Sequence, residues 1–183
     1  MSSRGANLSW EELNDTHCAV TRALLLVGDR WTLLILCELV MNVHRFEEIQ
    51  AQTGMSSHLL AIRLKRLEKI GVVERRLYQE RPNRYEYHAT SKGRELDLVL
   101  LALHTWGAKW GGFEPKREPP IKIMHRPTGE TIDATWQMPH SYRPFSFDDC
   151  EASFSPEFLA RRDARREAFL AGKQRSRSVR GDA

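Results

Sequence analysis

Three leucines, Leu60, Leu64 and Leu67, lie at i, i+4 and i+7, and this spacing constrains the fold more than any other feature of the chain. Residues with that spacing share one face of an α-helix, so they predict a helix that buries this face. A serine at position 56 can cap its first turn, and Gly71 can end it. We therefore predict a helix over residues 56–70.

The opposite side of this helix is polar and basic. Projection at 100° per residue places His58, Ala61, Ile62, Lys65 and Lys69 there, with Ser57 at the first turn. A helix that is apolar on one side and basic on the other packs on a core while it presents cations to solvent or to a polyanion.

The neighbouring patterns predict a compact arrangement of helices around a hairpin. Apolar spacing predicts helices over residues 20–27, 31–41 and 45–53, and the second of these is apolar nearly all round and should be buried. Residues 72–78 and 84–89 are rich in β-branched and aromatic types and flank a Pro82-Asn83 turn, which predicts a hairpin with a basic tip. Thr90 can cap a long amphipathic helix that ends at Gly111.

The 183 residues divide into four predicted segments. Residues 1–15 form an N-terminal arm with a capping box from Ser9 to Glu12, and residues 16–112 form the main domain. Residues 113–157 are rich in proline and aromatic residues and are expected to be irregular but packed. Residues 158–183 are expected to begin as a basic helix and to end in a disordered tail from residue 173.

Charge is distributed unevenly along the chain. The net charge is −2 over residues 1–41, +5 over residues 42–94, −4 over residues 95–157 and +5 over residues 158–183. A basic block inside the folded part is typical of a surface that binds nucleic acid, although a solvated basic face has the same composition. The basic tail either adds nonspecific affinity for DNA or is simply solvated.

The order of these elements is that of a winged helix-turn-helix domain, mainly α with a small β-hairpin wing. The major groove of B-DNA admits one helix, here the helix over residues 56–70. Outward residues of this helix are candidates for base contacts, and arginines on helix and hairpin for phosphate contacts. The predicted DNA-binding residues are Ser56, Ser57, His58, Ala61, Ile62, Arg63, Lys65, Arg66, Arg75, Arg76, Arg81 and Arg84.

Several motifs carry a family resemblance. They are Cys18-Ala-Val, Gly28-Asp-Arg-Trp-Thr-Leu-Leu-Ile-Leu, Arg45-Phe-Glu-Glu-Ile, Gly71-Val-Val-Glu-Arg, Arg84-Tyr-Glu-Tyr and Thr90-Ser-Lys-Gly. Together they span about residues 18–110, and there the sequence resembles the bacterial HxlR-type regulators. The resemblance implies a winged helix-turn-helix transcription regulator.

The resemblance also implies a homodimer joined by the first and last core helices. The predicted interface residues are Val20, Leu24, Leu96, Leu100, Leu103, Trp106 and Trp110. The alternative is that the apolar stripe from Leu96 to Trp110 packs within its own subunit or under the proline-rich segment. Cys18 stands where several family members keep a redox-sensing thiol, and the alternative for it is a small buried hydrophobe.

Other function classes lack their sequence signals. The chain has no Gly-rich phosphate loop, G-x-S-x-G or H-E-x-x-H motif, so neither an enzyme nor a cofactor is expected. His125, His140 and Cys150 are three possible metal ligands, but structural zinc requires four at compact spacing, so no metal is expected. No apolar run approaches the length of a membrane span, and we expect a cytoplasmic protein with reduced cysteines.

The sequence thus predicts a homodimeric regulator, expected to be a repressor, that binds a pseudo-palindromic operator in double-stranded DNA. A small-molecule effector could bind between the core and the proline-rich segment, and a thiol-reactive signal could act on Cys18. The alternative is a winged-helix protein-interaction module without specific DNA binding, since this fold does not dictate one function.

Overall fold

A computed structural model describes residues 18–112, 121–133, 135–137 and 145–181, with side chains as far as residue 175. The predicted helix that follows Ser9 lies outside these residues, and so does His140. Residues 19–110 hold most of the elements: α1 Ala19–Val27, α2 Arg30–Val40, α3 Phe46–Thr53, α4 Ser57–Lys69, β1 Val73–Glu80, β2 Asn83–Ala89, α5 Ser91–Arg94 and α6 Asp97–Trp110. The C-terminal part adds β3 Ile121–His125, β4 Glu130–Ile132, β5 Cys150–Phe154 and α7 Pro156–Gly181.

A two-residue connection, Gly28 and Asp29, joins α1 to α2, as the sequence predicts. The side chain of Asp29 caps α2 by accepting hydrogen bonds from the backbone N–H groups of Trp31 and Thr32, both at 3.1 Å. Ile35 is fully buried in the core, whereas Leu34 is 44% exposed. The prediction that α2 is buried all round is therefore wrong on the side of Leu34.

Helix α4 forms as predicted. Gly54 adopts the left-handed conformation at φ 69°, which ends α3, and the Ser56 hydroxyl then accepts a hydrogen bond from the backbone N–H of Leu59 at 3.2 Å. Leu60, Leu64 and Leu67 are each at most 1% exposed. These leucines fix α4 to the core and leave its other side free.

The wing, defined as the β1–β2 hairpin, is antiparallel from the pair Val73 and Ala89 to the pair Glu80 and Asn83. Its base is anchored to the segment before α3, because the backbone N–H of Tyr87 donates to the carbonyl of His44 at 2.9 Å. This bond fixes the position of the wing relative to the helix-turn-helix.

The predicted single helix after Thr90 is two helices. Thr90 caps α5 as predicted, with its hydroxyl accepting from the backbone N–H of Gly93 at 3.2 Å. The backbone N–H of Leu96 then bonds to the carbonyl of Gly93, three residues earlier, which tightens the chain into a turn before α6 begins at Asp97.

The segment predicted to be irregular contains a three-stranded antiparallel sheet in the order β4-β3-β5. Ile123 and Ile132 on this sheet pack with Phe145 and with Leu101 of α6 in a second buried cluster. Packing against α6 therefore gives regular structure to a segment whose prolines predicted an irregular one.

Helix α7 begins as predicted, because the Ser155 hydroxyl accepts a hydrogen bond from the backbone N–H of Phe158 at 3.2 Å. The helix continues to Gly181. The prediction of a disordered tail from residue 173 is wrong. The helix runs antiparallel to α3, because Arg165 contacts the end of α3 at Gln52 and Lys173 pairs with Glu47 near its start. In the part of the chain that is described, no helix is long and apolar enough to cross a bilayer.

Candidate nucleic-acid interface

The outward face of α4 is open to solvent. Five predicted contact residues on it are exposed: Ser57, His58, Ala61, Ile62 and Lys65. Within residues 18–112 and the described C-terminal residues, neither His58 nor Lys65 has an ion pair or a side-chain hydrogen bond with another side chain. Both polar groups are therefore available to an external partner. Ser56, the cap, is exposed at the start of this face.

Arg63 differs from the other predicted cations of α4 and requires a correction. Its guanidinium Nη1 lies 3.3 Å from Asp29 Oδ2, and its side chain is only 24% exposed. Its Nε atom is buried and has no hydrogen-bond partner among the described residues. Arg63 therefore joins α4 to the α1–α2 turn instead of facing outward.

Arg66 is exposed at the side of α4, and its guanidinium donates a hydrogen bond to the carbonyl of Leu25. This bond satisfies a carbonyl in the last turn of α1, where helices leave acceptors without intrahelical partners. Arg66 thus combines an exposed charge with a contact that holds α1 against α4.

The two arginines in the middle of the wing lie on opposite faces of the hairpin, because successive side chains alternate along a strand. Arg75 stacks over the Tyr85 ring at 4.1 Å and lies 3.7 Å from Glu68 of α4. Arg76 binds Glu74 through Nε at 2.8 Å and lines a cavity on the other face. Arg75 therefore lies on the side of α4, whereas Arg76, also predicted to contact DNA, lies on the side of the cavity.

The tip of the wing is basic and exposed. Arg81 and Arg84 are both exposed, and Arg84 borders a groove of about 480 Å³ that lies between the wing, α3 and α7. We call this the wing groove. Glu47 and Glu48 of α3 line the wing groove as well, so its arginines lie beside carboxylates.

The sequence did not indicate two further cations of the wing groove. Arg45 stacks on Tyr78 at 4.8 Å and pairs with Glu86 at 3.3 Å, and Arg166 reaches the groove from α7. Arg45 itself forms an isolated strand-like bridge with Glu86 of the wing, and the sequence near Phe46 does not indicate this pairing. Arg166 is 79 residues or more from the groove residues of α3 and the wing, so only tertiary structure brings it there.

Comparisons with known proteins agree with this geometry. Residues 26–115 match the family model of the HxlR-like helix-turn-helix. The helix-turn-helix-type transcriptional regulator Rv3095 of Mycobacterium tuberculosis is 40% identical over 116 residues, which are 63% of this chain and 72% of that protein. The chain belongs to the HxlR-like helix-turn-helix family. It is a transcriptional regulator of the helix-turn-helix type, as the sequence predicts.

Other relatives of this HxlR-like chain fit the same assignment. The regulator sll1512 of Synechocystis is 36% identical over 94 residues, which are 51% of this chain and 70% of that protein. Among solved structures, the crystal structure of PA1607, named as a candidate transcription factor, has a TM-score of 0.58 and 28% identity. It covers 76% of this chain and 96% of its own.

Most residues of the predicted dimer interface are exposed on this HxlR-like subunit. Five of them are exposed on α1 and α6: Val20, Leu24, Leu103, Trp106 and Trp110. Leu100 is only 5% exposed and lies in the core of its own chain, and Leu96 packs against that core. Leu96 and Leu100 are therefore removed from the predicted dimer interface, since they stabilise the subunit itself.

The three cysteines have different environments. Cys18 is exposed at the N-cap of α1, and hydrogen bonds from the Thr21 side chain and from backbone groups of Thr21 and Val20 lower its pKa. Burial raises the pKa of Cys37 and of Cys150 to about 11. Cys18 is thus the cysteine whose surroundings favour the reactive thiolate.

The described part of the structure contains no candidate metal site. Among those residues, no group of three or more His, Cys, Asp and Glu side chains could hold an ion. His125 instead pairs with Thr128, with Nδ1 at 2.9 Å from Oγ1, and lies opposite Cys150 in the sheet.

Proposed function

We propose that this regulator binds double-stranded DNA sequence-specifically as a homodimer on a pseudo-palindromic operator and represses transcription. One observation carries the proposal. His58 and Lys65 are exposed on a helix whose leucines fix it to the core, and the wing arginines Arg81 and Arg84 are exposed as well. In this arrangement α4 supplies base contacts and the wing supplies phosphate contacts.

The proposed dimer places two α4 helices about one turn of DNA apart. Exposed apolar side chains on α1 and α6 support it, since Trp106 is 64% and Trp110 is 63% exposed. Tryptophans at such exposure are unusual on a monomer and frequent in protein interfaces. The partner that we assign to this surface is a second copy of the chain.

Sedimentation equilibrium of the wild type and of Trp106→Glu tests the dimer. We expect a dimer for the wild type and a folded monomer for the variant, because a carboxylate cannot be buried there without a partner. A monomeric wild type at micromolar concentration contradicts the dimer, as does a variant that remains fully dimeric.

DNA binding is tested by fluorescence anisotropy on the promoter region beside the coding sequence and on random DNA, over a range of salt concentrations. Lys65→Ala should weaken operator binding by about 1–3 kcal/mol more than binding to random DNA, because it removes a base contact. Arg84→Ala should weaken both and lower the salt slope by about 1. Lys122→Ala, on the C-terminal sheet, is the charge-matched control.

Binding that depends on neither sequence nor salt would overturn this proposal and favour the protein-interaction module. Equal losses on operator and random DNA for Lys65→Ala would overturn its role in base contact. Transcription from the bound promoter, measured with and without the protein, tests repression: an increase with the protein contradicts it.

We also propose that Cys18 senses thiol-reactive compounds. Its exposure and its lowered pKa support this role, because the thiolate is the reacting species. Loss of operator binding after alkylation of the wild type, and its retention by Cys18→Ser, is the expected result. Equal effects of the reagent on both proteins would contradict it.

A further inference from the structure

A cavity of about 530 Å³ lies between the winged-helix elements and the C-terminal sheet. Three parts of the winged-helix domain line it, namely the end of α2, the outer face of the wing base and α6. Strands β3 and β5 close the other side. Its volume is in the range of pockets that hold small organic molecules.

One face of the C-terminal sheet forms the apolar wall of the cavity. Ile121 and Ile123 of β3, and Ala152 and Phe154 of β5, all line it, whereas the alternate residue Ser153 is exposed on the other face. Along β3 the residues of this face are buried or half-buried, whereas Ala152 of β5 is exposed on it. The wall suits the apolar body of a ligand.

The opposite wall carries imidazoles. His104 of α6 lines the cavity, is half-buried and has no hydrogen-bond partner among the described residues, and burial lowers its pKa. His44 and His88 stack with ring centroids 4.2 Å apart. His44 Nδ1 lies 3.0 Å from the carbonyl oxygen of Tyr87, which makes Nδ1 the donor of that bond.

Two arginines, Arg76 and Arg94, and two aspartates, Asp97 and Asp148, are the charged groups that line the cavity. The Asp97 carboxylate already accepts from the backbone N–H of Phe147 at 3.0 Å and from the Ser146 hydroxyl at 3.3 Å. Arg94 uses Nη1 on Asp148 at 2.7 Å, and Arg76 uses Nε and Nη2 on Glu74. The other N–H groups of both guanidiniums have no partner among the described residues and are available to an anionic oxygen.

We propose that this cavity binds a small amphipathic carboxylic acid, with its apolar body on the β3–β5 face and its carboxylate on the guanidinium groups of Arg76 and Arg94. Such a ligand would satisfy the free N–H donors and cover the apolar wall at the same time. A neutral ligand of the same shape would leave the donors without an anion.

The position of the cavity gives the ligand a regulatory role, and this step alone rests on the proposed function. Arg76 and His88 belong to the wing, so a bound carboxylate contacts the hairpin that we assign to DNA. A ligand that binds one wing position better must change DNA affinity, and DNA must change ligand affinity by the same factor.

Calorimetric titration of the full chain without DNA tests binding independently of the proposed function. The probes are benzoate, 1-naphthoate and octanoate, each compared with its primary amide. We expect at least one acid to bind at a 1:1 ratio, with a Kd below about 1 mM and about tenfold below that of its amide. The proposal is overturned if no acid binds in this range, or if each acid binds no better than its amide.

Three variants locate the site. Ala152→Leu fills the apolar wall and should weaken binding of the acid at least about tenfold, whereas Ser153→Leu, on the other face of the same strand, should not. Arg94→Gln should reduce the difference between acid and amide while the amide still binds. Equal effects of the two leucine variants, or an unchanged acid preference in Arg94→Gln, would place binding elsewhere and overturn the proposal.

Titration with operator DNA bound tests the regulatory step separately. A changed Kd for the acid supports coupling, and an unchanged Kd overturns the regulatory role while the binding site stands. Failure of DNA binding itself, with the acid still bound, would overturn the proposed function and leave the cavity assignment intact.

Discussion

Arg162 of α7 and Glu38 of α2 form a bidentate ion pair, with Nη2 at 2.6 Å from Oε2 and Nη1 at 3.2 Å from Oε1. The two side chains are only 16% and 10% exposed. The bidentate geometry offsets the free-energy cost of removing both charges from water. Either charge buried alone would carry that cost without compensation. This contact joins the C-terminal helix, which lies beyond the family match, to the helix-turn-helix core.

Replacement of Arg162 by methionine should therefore destabilise the fold strongly. Arg162→Met leaves the Glu38 carboxylate buried without a cation, and we expect the free energy of unfolding to fall by about 3 kcal/mol. Urea unfolding followed by circular dichroism measures the change.

The neighbouring Arg161→Met is the matched control. Arg161 pairs with Glu157 at 2.6 Å, but the two side chains are 68% and 50% exposed. An exposed pair of this kind contributes less than about 1 kcal/mol. Equal losses in the two variants would show that α7 is not held to α2 by this ion pair.

The sequence predicted the elements that depend on local signals. Leu60, Leu64 and Leu67 specify α4 through their spacing, and Ser56 and Thr90 specify helix starts through their hydroxyls. These signals act within one or two turns of chain. They do not depend on the positions of distant residues.

The orientation of Arg63 was also accessible from the sequence. Arg63 follows Leu60 by three residues and precedes Leu67 by four, so it lies at the edge of the leucine face and not opposite it. An arginine on this helix suggests a DNA contact, whereas the helical position of residue 63 indicates the orientation that the structure shows.

The C-terminal sheet and the length of α7 were not accessible in the same way. Ile121 and Ile123 alternate with polar or exposed residues, but nearby prolines obscure this short pattern, and its partner β5 lies 25 residues or more along the chain. Helix α7 has few apolar residues, and its ion pairs to Glu38 and Glu47 hold it in place. Distant partners of this kind leave no local signal.

Alkylation should distinguish Cys18 from the other cysteines. At about pH 7.5, iodoacetamide should modify Cys18 first, because its exposure and lowered pKa favour the thiolate, whereas burial raises the pKa of Cys37 and Cys150 to about 11. Mass spectrometry after short reaction times measures the order. Cys18→Ser should lack the fast phase, and its persistence would contradict the assignment.

The wing groove predicts a contribution of α7 to DNA affinity. Arg166 lines the groove with Arg84, so Arg166→Ala should weaken operator and random DNA alike and lower the salt slope by about 1. Arg161→Ala is the control on the same helix, because that guanidinium pairs with Glu157. A salt slope that is the same in both variants and the wild type would exclude α7 from the DNA interface.

The burial of His104 predicts a specific pH dependence of stability. Burial lowers the pKa of His104 in the folded chain below its ordinary value of 6.5, and desolvation together with the charges of His44 and Arg76 does the same for His88. Both imidazoles are neutral in both states well above that value. As the pH falls through 6.5, the unfolded chain binds these protons first, so stability is lost.

Substitution of His104 should therefore make the protein less sensitive to acid. Between about pH 7.5 and 5.5, the free energy of unfolding should fall less in His104→Gln than in the wild type, and least in the double variant with His88→Gln. Urea unfolding at a series of pH values measures the slope. If the curve of His104→Gln runs parallel to that of the wild type, His104 takes up its proton in the folded chain as readily as in the unfolded one, and the burial argument fails.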